Sequence, residues 1–135
     1  MIHHLKVIAA GALMALPQAG HAFTADNRLK VAQLDAHTFE VIAQPGTGTV
    51  QFWCAAGDYA FGALNADTSQ RVYLVRGRGP SATQPGKKSV QFTLNPNAKG
   101  VPTLPPQLVL NVNQPGDNLS VAHAWSYCQV PHGRR

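Results

Sequence analysis

Cys54 and Cys128 are the only cysteines in the chain, and a bond between them would tie its last element back to its middle. Whether they bond depends on where the chain goes. The first segment, MIHHLKVIAAGALMALPQAGHA, has a basic residue at Lys6, an uncharged apolar run from Val7 to Leu16, and small residues at Gly20 and Ala22. This is the grammar of a secretory signal over residues 1–22, cut before Phe23. The apolar run, ended by Pro17, is half the roughly 20 residues that a membrane-spanning helix needs, so the mature chain is expected to carry no transmembrane segment. Export to an oxidising compartment makes an even pair of cysteines read as a disulfide. Closing a loop of this length removes about 4 kcal/mol of chain entropy from the unfolded state, comparable to much of a small domain's net stability. A catalytic thiol is the weaker reading, because there is no C-x-x-C and a lone reactive cysteine would be trapped by its neighbour.

Residues 23–135 are expected to form a single domain, since no linker is long enough to divide them and no internal repeat appears. Hydrophobic residues make up 44% of the sequence, as in a globular chain, but charged residues only 13%, about half the usual share. The formal charge is +5 and becomes +4 when Lys6 leaves with the signal. A charge of that size favours anionic surfaces in general, and export argues against nucleic acid as the partner.

RLKVAQLD and TFEVIAQ read as a strand hairpin, with Phe39, Val41 and Ala43 on one face and Glu40 and Gln44 on the solvent side. A short extended piece, VQF, follows the PGTGT break. The clearest helix is 53–64, where Trp53, Ala56, Gly57, Ala60, Phe61 and Leu64 form one apolar stripe whose small residues permit close approach by another element. QRVYLVRG and SVQFTL read as consecutive strands joined by a long loop, and LVLNVN as one more strand with Leu108, Leu110 and Val112 facing inward. Residues 120–128 fit both strand and helix periods, and Ser120 as an N-cap favours a short helix. The fold class expected is therefore α+β: an antiparallel sheet of four to six strands packed against one main helix and a short C-terminal helix, stapled by one disulfide.

The stretch GRGPSATQPGKKS, residues 77–89, superficially resembles a phosphate-binding loop. The spacing fails: five residues before Gly86 stands Ser81, Lys88 stands where a hydroxyl should, and Pro85 lacks the N–H that the nest requires. A strand pattern follows it, not a helix. The same region concentrates Arg76, Arg78, Lys87 and Lys88, with no acidic residue between Gln70 and Gln114, and is the best candidate for a binding surface. The competing role for these cations is to keep a sheet edge from pairing with another chain.

No metal or other cofactor is expected: the mature histidines His37, His123 and His132 form no H-x-H or H-x-x-x-H pair. No G-x-S-x-G elbow and no suggestively spaced acid pair appear among Asp26, Asp35, Glu40, Asp58, Asp67 and Asp117. A small hydrolase or lyase site would have to be assembled from Asp58, Tyr59 and His123. Trp53, Trp125 and Tyr127 neighbour the cysteines and are expected in the core rather than on a sugar-stacking platform. Asn118-Leu119-Ser120 matches the N-glycosylation pattern.

Trp53-Cys54 with Tyr59-Ala60, together with Ser120-Val121 through Tyr127-Cys128, resembles a group of small uncharacterised secreted proteins of alphaproteobacteria over the chain from Phe39 onward. The resemblance implies a periplasmic location and the Cys54–Cys128 bond, and no activity. The leading functional expectation is a non-enzymatic module, periplasmic or secreted, that meets an anionic envelope component or an acidic protein through the basic loop. The alternatives are the small hydrolase or lyase and an accessory subunit of an envelope complex.

Overall fold

The computed structural model describes residues 22–129, so the segment expected to be a signal, apart from Ala22, and His132 lie outside the described residues. Six strands form one antiparallel sheet: β1 (Phe23–Thr24), β2 (Lys30–Gln33), β3 (Thr38–Ile42), β4 (Arg71–Pro80), β5 (Lys88–Thr93) and β6 (Asn118–Ser120). Their order across the sheet is β1-β2-β3-β5-β4-β6. Two hairpins, β2–β3 and β4–β5, pair through β3 and β5, and β6 closes onto the far side of β4. Between β3 and β4 the chain makes helix α1 (Thr49–Gly62), and after β6 it makes helix α2 (Val121–Ser126). The α+β architecture with its staple is as the sequence predicts, and the Cys54–Cys128 bond is formed.

The main core lies between the sheet and the helices. Val31, Phe39, Val41, Val72, Leu74, Val90 and Phe92 supply the sheet side, and Phe52, Trp53, Ala56, Tyr59 and Ala60 supply α1. Aromatic edges hold the layers together, with Trp53 5.0 Å from Phe92 and Tyr59 4.5 Å from Phe39, ring centre to ring centre. The two helices touch at Gly57, where an added Cβ would lie 2.4 Å from the Trp125 backbone nitrogen. The small-residue stripe of α1 thus serves a helix contact, and the disulfide joins α1 to the turn after α2.

Three local expectations change. VQF is not extended but forms part of the first turns of α1, whose start is tied by Gly48 N–H donating to Gln51 Oε1. The helix ends two residues early, at Gly62, because Asn65 adopts a left-handed conformation and the Ala66 N–H turns back to Ala60 C=O. Leu108–Asn113 is not a strand. Asn111 Oδ1 accepts from the N–H groups of Asn113 and Gln114, an Asx-type turn that competes with ladder pairing. The edge of β4 is taken instead by Gly116 and Asp117, which exchange backbone hydrogen bonds with Leu74, and then by β6. Val112 is buried as expected, whereas Leu108 is fully exposed.

After Ser120, which ends β6, residues 121–128 are helical: Ser120 Oγ accepts from His123 N–H and caps α2, and a 3-10 turn over Tyr127–Gln129 carries Cys128.

Candidate functional site

Alternation puts Glu40 on the sheet face opposite Phe39 and Val41, as the sequence predicts, but that face is not open to solvent at this point. Glu40 is completely buried. The connection between β4 and β5 folds back over it, and its carboxylate accepts from Ser81 Oγ, Thr83 Oγ1, Ser89 Oγ and the backbone N–H groups of Ala82 and Thr83. Burial alone pushes the Glu40 carboxyl up, but these hydrogen bonds outweigh it and hold the carboxyl below the ordinary glutamate range. The loop that resembles a phosphate-binding loop does wrap N–H groups around an anion. The anion is a side chain of the same protein, and those donors are therefore occupied.

The four cations of this region separate into different roles. Arg76 Nη2 donates to Ser89 C=O and Ser89 Oγ, Nη1 to Pro80 C=O and Nε to Gly77 C=O. Its guanidinium closes the hairpin on itself, and through Ser89 it supports Glu40. Register shifts in β4 between Leu74 and Arg76 and between Arg76 and Gly79 break the simple alternation. Arg78 consequently points to the α1 side, with its guanidinium carbon 4.8 Å above the Phe52 ring. Lys88, two residues before the core residue Val90, shares that side by alternation. Arg78, Lys87 and Lys88 are all exposed. Among the described residues the one ion pair is Lys99–Asp35, so these three carry no acidic partner there.

Asp58, Tyr59 and His123 are not gathered into one cleft. Tyr59 is buried between Phe23 and Phe39, and burial raises its phenol above the ordinary value. Asp58 accepts from the Asp26 N–H, and its carboxyl is raised, chiefly by burial. His123 is exposed on α2, stacked 5.4 Å from the Tyr127 ring. Trp53 is buried, and Trp125 packs on the half-exposed Phe61. The glycosylation-pattern residue Asn118 is buried, and its amide donates to Leu104 and Gly116 carbonyls, which leaves it no free nitrogen to present.

A second site was not legible in the sequence. A cleft of about 110 Å³ is lined on its apolar side by Trp53, Leu108, Val109, Leu119 and Tyr127 and on its polar side by Gln107, Asn111, Asp117, Asn118 and His123. Asp117 is 4% exposed. Its Oδ2 accepts from Asn111 Nδ2, while Oδ1 has no hydrogen-bond partner among the described residues. The only sequence signal was an acid in a turn, QPGD, between apolar segments. Among the described residues no three His, Cys, Asp or Glu side chains lie close enough together to hold a metal ion, and no helix is long and apolar enough to cross a membrane. Comparison with protein-family models, with curated proteins and with solved structures finds no match to this chain.

Proposed function

We propose that this protein is an exported, non-enzymatic interaction module of the periplasm or cell envelope, which binds an anionic envelope component through the tip of its β4–β5 hairpin. The observation that carries this reading is a display of cations on an anchored tip: Arg78, Lys87 and Lys88 are exposed, and Glu40 holds the intervening loop from beneath. A loop already ordered loses little freedom on binding, so more of the electrostatic attraction survives as affinity. The disulfide, together with the basic, apolar and small-residue pattern of residues 1–22, supports an oxidising compartment.

The test is co-sedimentation with vesicles containing anionic phospholipid and, separately, binding to an immobilised acidic polysaccharide, each across a range of ionic strength. Arg78, Lys87 and Lys88 are changed together to Gln, and Arg76 is left in place because it holds Pro80 and Ser89. Binding should weaken as salt screens the charges, and the triple variant should lose most of it. Binding to neither surface, or equal binding by the triple variant, would refute the reading. The intact mass of the exported chain should correspond to a start at Phe23, with thiols alkylated only after reduction.

A further inference from the structure

Residues 100–116, GVPTLPPQLVLNVNQPG, carry no Asp, Glu, Lys, Arg or His. This excursion is pinned at both ends and bare in the middle. On one side Leu104 N–H donates to Gly116 C=O and Leu104 C=O accepts from the Asn118 amide, and on the other Trp53 Nε1 donates to Asn111 C=O. Between these anchors residues 105–109 are all exposed. Pro105 and Pro106 fix φ at the start of the tip, so little freedom remains to be lost on binding. Leu108 and Val109, at 105% and 74%, are the two most exposed large apolar side chains among the described residues, and they are neighbours in sequence. Two such side chains together at a loop tip leave in water an apolar surface that a partner would cover.

The charge around the tip indicates what covers it. No acidic residue stands between Gln70 and Gln114, a stretch that holds both the cationic hairpin and the exposed pair. The two are also close in space. A Cβ added to Gly77 would lie 2.7 Å from Val112 C=O, so the end of the excursion abuts the residue before Arg78. Three residues of chain span at most about 11 Å, which keeps Val109 near that contact. Arg78 lies over Phe52, and Trp53, the next residue of α1, holds Asn111. An uncharged aliphatic tip beside exposed cations has the chemistry of a peripheral membrane surface, where apolar burial and attraction to anionic lipid add. Two protruding side chains offer a rigid partner no hollow to fill, whereas fluid acyl chains close around any shape. We propose, resting on the anion-binding role given above to the β4–β5 hairpin, that its partner is an anionic phospholipid bilayer, into whose interface Leu108 and Val109 insert while Arg78, Lys87 and Lys88 meet lipid phosphates.

The experiment compares binding of the full exported protein to vesicles of equal parts phosphatidylglycerol and phosphatidylcholine with its binding to an immobilised acidic polysaccharide. Changing Leu108 and Val109 together to Ser should lower vesicle partitioning by about tenfold or more, the worth of withdrawing one such side chain from an apolar medium, and leave polysaccharide binding unchanged. Changing Arg78, Lys87 and Lys88 together to Gln should lower both, by roughly fivefold per cation on vesicles. Added salt should weaken wild-type binding to vesicles less than binding to polysaccharide, because the apolar contribution is not screened. Leu108→Trp keeps an apolar side chain at the tip. It should bind vesicles as the wild type does, and phosphatidylcholine brominated on its acyl chains should quench its fluorescence more than that of the wild type. Both substituted side chains are exposed, so these variants are expected to fold. Wild-type partitioning by the double serine variant would overturn insertion and leave the pair to a protein partner. Quenching no greater than in the wild type, or polysaccharide binding without vesicle binding, would also overturn it, with the cationic hairpin's role intact. Binding to neither surface would refute that role and insertion together.

Discussion

Replacing Glu40 by glutamine tests what orders the hairpin tip. In the native protein its two carboxylate oxygens take hydrogen bonds from Ser81, Ala82, Thr83 and Ser89. Glutamine preserves the volume and one oxygen, but puts an NH2 group where Oε2 faces the Ala82 N–H and Ser89 Oγ. One charge-assisted bond worth about 1.5–3 kcal/mol is lost and the others become neutral, offset in part by the smaller cost of burying an uncharged amide. The expected net loss is about 2 kcal/mol, or a melting temperature lower by roughly 8 °C for a domain of this size. Glu40→Ala, which leaves every donor unmatched and opens a void, should lose about 4 kcal/mol.

The pH dependence has a definite sign. Because the folded Glu40 carboxyl is held below its ordinary value, its contribution is present in full above the ordinary glutamate pKa and is lost as pH falls through the lowered folded value. The gap between wild type and Glu40→Gln should therefore be constant near neutrality and close in acid. Urea denaturation at several pH values measures it, and hydrogen exchange at Ala82 and Thr83 should accelerate in the variant. Wild-type midpoints together with unchanged exchange at those amides would show that the buried carboxylate does not order the loop.

Gly57→Ala should destabilise the protein by about 2–3 kcal/mol although alanine is the better helix former, because its Cβ would lie 2.8 Å from both Ala124 C and Ala124 Cβ, and denaturant midpoints report it. Replacing Cys54 and Cys128 together by alanine should cost about 4 kcal/mol, given a sequence separation of 74, and equilibrium unfolding of the oxidised and double-variant proteins compares them directly. The carboxyl of Asp35, held down to about 2 by its hydrogen bond to Lys99 and assisted by the His37 N–H and Thr38, should titrate upward in Lys99→Ala. Stability near neutrality should change by less than about 1 kcal/mol in that variant because the pair is solvent-exposed, and carboxyl NMR titration separates the two effects.

The sequence by itself determined the elements whose signals are local or nearly so. β2, β3 and β5 follow from alternation, α2 from the Ser120 cap, the body of α1 from its apolar stripe, and the staple from the even pair of cysteines. Alternation also put Glu40 opposite Phe39 and Val41. It could not say that a loop beginning at Ser81 would cover that face, since period two states which residues share a side and nothing about what lies over it. Only the tertiary structure decided that Arg76 closes the hairpin while Arg78 turns to Phe52, because a bulge is settled by the register of the partner strand. The failure of Leu108–Asn113 to form a strand has the same origin. Its alternating pattern was real, but Asn111 offered the backbone a competing turn, and the free edge of β4 was filled by Gly116 through Ser120. Asp117 became a buried, half-satisfied carboxylate beside a cleft of mixed polarity only when that segment, α1 and α2 converged, a meeting of parts distant in sequence that no local pattern encodes.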